Sequence, residues 1–138
     1  MLENLATKQK PSNIDLEDLK KSCSILKSLS KFDNAQAIIV DNGHILSIEA
    51  AEGTDLMLKR TSYLKKKFGN KKSGVLVKMP KKGQSLNFDL PTIGIQTIKL
   101  CIEANLKGIF LKKNKNIFLN KEKSIILANK NNFFISAV

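Results

Sequence analysis

A chain of 138 residues makes one domain of ordinary size and is too short for two. It carries 24 basic and 12 acidic residues, a net charge of +12 with the single histidine neutral, and its 42% hydrophobic content includes only 6% aromatics, so an aliphatic core is affordable. No apolar run approaches the ~18 residues of a membrane-spanning helix and the opening MLENLATKQKPSN lacks a secretory apolar stretch, which excludes membrane-spanning, secreted, collagenous and wholly disordered classes and makes the cytoplasm the expected compartment.

Residues 1–14 read as a polar leader or the remnant of an interdomain linker, with the domain proper over 15–138. Ser12 followed by Asp15 is a helix-capping signal, and Leu16, Leu19, Cys23, Leu26 and Ser30 recur at helical spacing behind it. Ala35–Val40 is a strand, Asp41-Asn42-Gly43 a hairpin turn of the kind that needs positive φ, and 44–49 the return strand. A second helix follows near 55–68, capped by Thr54 or Asp55, with Met57, Thr61, Leu64 and Phe68 on its inner face. Gly74–Lys78 is a short apolar strand of a covered sheet. After a long loop with Pro80, Gly83, Pro91 and Gly94, a third helix turns Ile95, Ile98, Ile102 and Leu106 inward. Strands at 108–111 and 117–119, a helix near 121–130 and a last strand at 133–136 complete the alternation. The fold class is α/β, a single domain with a mixed β-sheet flanked by helices.

Two cysteines, Cys23 and Cys101, without CxxC spacing give neither a disulfide framework nor a zinc site, and both read as small buried hydrophobes in a reducing compartment. The basic balance favours polyanionic partners, yet 23 lysines stand against one arginine, Arg60, alongside 15 isoleucines and 13 asparagines. An AT-rich coding sequence produces that bias whatever the function. Arginine forks for guanine and aromatic platforms for single strands are both scarce, so nucleic acid is not the expected partner. The lysine runs 65–67 and 112–113 read as solvated faces.

Charge placement is more informative than the total. From Phe32 to Leu58 there is no lysine or arginine, and five of the twelve carboxylates lie there: Asp33, Asp41, Glu49, Glu52 and Asp55. Residues 65–82 then hold eight lysines and no acid, and Asp89 is the one carboxylate between positions 56 and 102. Glu49, Glu52 and Asp55 fall at a strand-to-helix junction, where α/β sheets place ligands. Such carboxylates can share a hard cation, which for Mg²⁺ takes one or two of them plus phosphate oxygens. The same acids also favour a helix N-terminus with no further role. Gly53 and Thr54 add amides and a hydroxyl suited to phosphate. Lys78 should emerge at the end of its strand, and Asp89, before Leu90-Pro91-Thr92, is placed to bind metal or orient water.

At Gln36–Val40, Ile48-Glu-Ala-Ala-Glu-Gly-Thr-Asp55, Gly74–Lys78 and Phe88-Asp-Leu-Pro-Thr-Ile-Gly94 the sequence resembles the C-terminal domain of the LpxI family, UDP-diacylglucosamine pyrophosphatases of lipid A biosynthesis. The resemblance runs from about Asp15 onward and leaves the family's N-terminal domain absent. Where Lys82, Ser85 and Asn87 stand, the family usually shows proline, an acid and arginine. The resemblance implies hydrolysis of UDP-2,3-diacylglucosamine to 2,3-diacylglucosamine 1-phosphate (lipid X) and UMP, assisted by Mg²⁺ or Mn²⁺. It implies Asp89, Asp55 and Lys78 as catalytic residues and Glu49, Glu52, Asp55 and Asp89 as metal ligands. Gly53, Thr54, Lys81, Gln84, Pro91, Thr92 and Gln36 become the substrate contacts. Expected partners are the substrate and product, the N-terminal domain, a second copy of the chain, and the anionic inner membrane, towards which the lysine-rich flank would draw the domain. The competing readings are a non-catalytic substrate- or partner-binding module of the same fold, and a basic RNA-binding α/β domain.

Overall fold

The computed structural model describes residues 3–4, 7–32, 35–80 and 92–138. Glu3–Asn4 form a two-residue strand, β1. Part of the stretch read as a leader is therefore docked, and Thr7 beyond it is buried, its hydroxyl accepting the Ile135 amide at 3.3 Å. Ser12 starts α1 (Asn13–Leu29) by the expected reciprocal bonds: its hydroxyl accepts the Asp15 amide at 3.3 Å, and the Asp15 carboxylate accepts the Ser12 amide at 2.8 Å. One turn on, the buried Asp18 accepts the amides of Asn42 and Gly43 at 2.9 and 2.8 Å, fixing the predicted hairpin turn against the helix. Both turn residues have the positive φ that the Asn-Gly pair allows.

That turn joins β2 (Ala37–Asp41) to β3 (His44–Ile48), and α2 (Thr54–Lys67) follows. Next come β4 (Val75–Lys78), β5 (Thr92–Ile93), α3 (Ile95–Glu103), β6 (Gly108–Leu111), β7 (Ile117–Phe118), α4 (Lys121–Lys130) and β8 (Phe134–Ala137). Among the described residues six strands form one sheet in the order β1-β8-β6-β4-β2-β3, while β5 and β7 pair separately. β4, β6 and β8 run parallel, and β2 and β1 are antiparallel to their neighbours, so the sheet is mixed as expected.

Alternation along the strands splits the core in two. Ile39, Leu76, Ile109 and Ile135 face Met57 and Leu58 of α2, Ile98 and Cys101 of α3, and Ala128 of α4. Ile38, Val40, Val77, Phe110 and Phe134 face the other way, towards Leu26 of α1. The three central strands are buried on both sides, which is why they read as nearly continuous apolar runs. Each such side chain contributes about 1.5–3 kcal/mol on leaving water.

Three local expectations are corrected. Cys23 is exposed rather than buried, because α1 turns Leu26 and Ser22 to the sheet; Cys101 is fully buried and burial pushes its thiol pKa up. The cap of α2 is Gly53, not Thr54 or Asp55, since Gly53 alone carries a non-helical backbone there, at φ +84°. The inner face of α2 is Met57, Leu58, Thr61 and Lys65, leaving Phe68 82% exposed and taking Lys65 out of the solvated run.

Candidate functional site

The sheet register brings three of the sequence-predicted residues, Gln36, Glu49 and Lys78, to one edge. Lys78 ends β4 and is the register partner of Ala37, whose carbonyl accepts the Glu49 amide at 2.9 Å. Gln36 lies beside them, its carbonyl accepting the Met79 amide at 2.8 Å. The carboxyl ends of β3 and β4 thus meet where the antiparallel β2 interrupts the parallel set, the kind of crevice in which α/β sheets bind ligands.

Positive φ at Gly53 lets the chain double back from Glu49 into α2, a backbone that a side-chain-bearing residue resists. The return sets the Thr54 hydroxyl to donate to Glu49 Oε2 at 2.6 Å. Asp55, in the first turn of α2, accepts the hydroxyl of Thr97 from α3 at 2.9 Å through Oδ1. Each carboxylate therefore has one oxygen fixed by a buried threonine. Sequence reasoning missed Thr97, whose one signal is a small polar residue in the first turn, on the otherwise apolar buried face of α3.

Lys78 is 8% exposed on the same sheet face as Leu76, towards the three helices. Burial lowers its ammonium pKa, and the charges of Glu49 and Asp55 pull it partly back up. Among the described residues the ion pairs are Arg60–Glu52 at 2.6 Å and Lys107–Asp15 at 3.0 Å, so Lys78 faces its two carboxylates without closing onto either. A buried cation held in this way can be offered to a substrate anion.

Glu52 is separated from the cluster. Its carboxylate accepts from Arg60 across the surface of α2, and that hydrogen bond holds its pKa below the usual carboxylate range. Among the described residues no three histidines, cysteines or acids gather closely enough to hold a metal ion. Glu49 and Asp55 nevertheless match the one or two carboxylates that Mg²⁺ takes alongside phosphate oxygens, and their threonine bonds are the outer-shell support such ligands need. Thr92 is exposed on β5, paired with Ile117 of β7. Asp89, Lys81, Gln84 and Pro91 lie outside the described residues.

A sequence profile of the LpxI C-terminal domain matches residues 3–136. Over 105 residues the chain is 36% identical to a Caulobacter vibrioides protein named UDP-2,3-diacylglucosamine pyrophosphatase LpxI, an alignment covering 74% of this chain and 38% of that protein. It spans well under half of that relative's length. By the extent of the match and the order of its blocks, the chain belongs to the LpxI C-terminal domain family.

Proposed function

We propose that this chain is the phosphate-handling part of a UDP-2,3-diacylglucosamine pyrophosphatase in lipid A biosynthesis, acting in the cytoplasm together with an N-terminal half like the one that completes its relative. The observation that carries this reading is Lys78, a buried ammonium at the sheet's switch point between two threonine-braced carboxylates. A diphosphate needs cations around it, and fixed charges in a site sheltered from water act more strongly than in solution.

In the reaction the oxygen of a water molecule bonds to one phosphorus while the bridging P–O bond breaks. Lipid X and UMP leave, and the water's proton passes to a carboxylate. Lys78 stabilises the charge that grows on the phosphate oxygens, and Asp89 accepts the proton or positions the water. Glu49 and Asp55, with Asp89, would hold Mg²⁺ or Mn²⁺, which would supply Lewis-acid stabilisation of the developing charge. Gly53, Thr54, Lys81, Gln84, Pro91, Thr92 and Gln36 shape the substrate pocket. Glu52 joins the metal shell only if Arg60 releases it.

The test is UMP release from UDP-2,3-diacylglucosamine by the chain mixed with the N-terminal half of the relative. Lys78→Met and Asp55→Asn should each lower kcat by about 10²–10³, and chelation should abolish turnover. An inert wild-type mixture that still binds the substrate would favour the non-catalytic module. Full activity in Lys78→Met would sink the role given to that residue.

A further inference from the structure

A second basic stretch, from Lys112 to Lys121, has four lysines and no acid, and the catalytic reading does not use it. It leaves the sheet directly after Leu111, the register partner of Lys78, and so lies along the same edge as the candidate site. Its backbone is anchored there: β7 pairs with β5, the Leu119 amide donates to the Ile93 carbonyl at 2.8 Å, and Phe118 packs on the core. With Phe118 turned in, Ile117 and Leu119 turn out, 43% and 52% exposed, beside the exposed Lys112 and Lys121.

A cavity of about 280 Å³ opens beneath this segment, lined by Lys112, Lys113, Lys121, Asn116 and Phe118 among others. Asn116 donates its amide to the Lys112 carbonyl at 3.0 Å, while its buried Oδ1 has no hydrogen-bond partner among the described residues. The exposed Lys112 and Lys121 in the cavity lining are suited to a phosphodiester.

We infer that this segment docks the domain on an anionic bilayer. Lys112, Lys115 and Lys121 meet lipid phosphates, and Ile117 and Leu119 enter the interfacial layer, bringing the edge that holds Lys78 down to the membrane. Charge complementarity combined with outward aliphatic side chains selects a lipid surface. RNA would want stacking rings, and the one ring in this segment faces the core. In the other lysine-rich stretch, 65–82, Lys66, Lys67 and Lys71 lie near the opposite edge, at the end of α2 and ahead of β4. The proposal rests on the hydrolase reading only for its purpose, since a lipid-linked substrate is presented at a membrane.

Sedimentation of the full chain with phosphatidylcholine vesicles, with and without phosphatidylglycerol, is the test. Binding should require phosphatidylglycerol and weaken at high salt. Each lysine at an anionic surface is worth about fivefold in affinity, so Lys112→Glu, Lys115→Glu and Lys121→Glu together should weaken binding by more than ~100-fold. The triple Lys66→Glu, Lys67→Glu and Lys71→Glu makes the same charge change at the far edge and should weaken it much less. Ile117→Ser with Leu119→Ser, at exposed positions and neutral in charge, should cost roughly tenfold. Equal losses in the two triples, indifference to phosphatidylglycerol, or displacement from vesicles by RNA would each overturn the inference. UMP release from detergent-dispersed substrate stays intact in all these variants if the hydrolase reading holds, which separates the two failures.

Discussion

At Gly108 the Phe134 ring leaves room for a hydrogen and nothing more. A Cβ there would lie 2.3 Å from Phe134 Cδ2 and 2.4 Å from Cε2 and Cγ. The ring has nowhere to go: it is fully buried, edge-on to Phe110 at 5.0 Å between centroids and stacked on Phe133 at 6.5 Å. Gly108→Ala should therefore cost about 1–3 kcal/mol through overpacking, seen as a lower urea midpoint at unchanged slope. An unmoved midpoint would mean that the β6–β8 contact is looser than described. Residues that act through neighbours in the sequence were legible: Ser12 with Asp15, and Asn42 with Gly43, each complete their geometry within three positions. Glu52 was not, because whether it joins Glu49 and Asp55 depends on Arg60, which stands one helix turn pair away and competes for the same carboxylate. Thr97 was not, because the Asp55 it serves lies on another helix 42 positions earlier.

At the scale of the element, α2 shows how far periodicity reaches. Its existence and ends were legible to within a residue, but its phase was not. Met57, Thr61, Leu64, Phe68 and Met57, Leu58, Thr61, Lys65 are almost equally good stripes at 3.6 residues per turn, and the first is the more apolar. The second wins because Lys65 reaches past the helix end to donate to the carbonyls of Ser73 at 2.5 Å and Asn105 at 2.7 Å, tying α2 to the loops before β4 and β6. Burial lowers the Lys65 pKa, and Asp41 raises it in part. Between that lowered value and the ordinary one the unfolded chain binds the extra proton, so the Lys65 contribution to stability rises with pH across that window. The neutral amine can still donate to both carbonyls. Lys65→Met should be less stable than wild type by about 1–3 kcal/mol, with the buried Ser73 carbonyl orphaned while the Asn105 carbonyl keeps the Ser73 amide, and the gap should widen as pH is raised towards 10. Paired urea titrations across that range measure it, and a gap that closes would show that the charge itself, rather than the donated bonds, supports the helix end.

Across the whole molecule the same excess of lysine that suits a membrane acts against the fold. The chain carries 24 basic and 12 acidic residues, and among the described residues the ion pairs are Arg60–Glu52 and Lys107–Asp15. The first is exposed and such pairs contribute about 0–1 kcal/mol. Attraction therefore offsets little of the self-repulsion of a net +12, which destabilises the compact state. Screening should relieve that repulsion, since the Debye length falls from about 10 Å at 0.1 M salt to about 3 Å at 1 M. The melting temperature should accordingly rise with sodium chloride, by roughly 3–6 °C for each kcal/mol of repulsion removed. The far-edge triple Lys66→Glu, Lys67→Glu and Lys71→Glu halves the net charge and leaves the core untouched, so its melting temperature should start higher at low salt and respond less to added salt. Thermal melts of the two proteins over a chloride series decide the matter. If wild type instead melts lower as salt is added, the lysines are held by attractive partners, and the surface charge cannot be free to meet a bilayer.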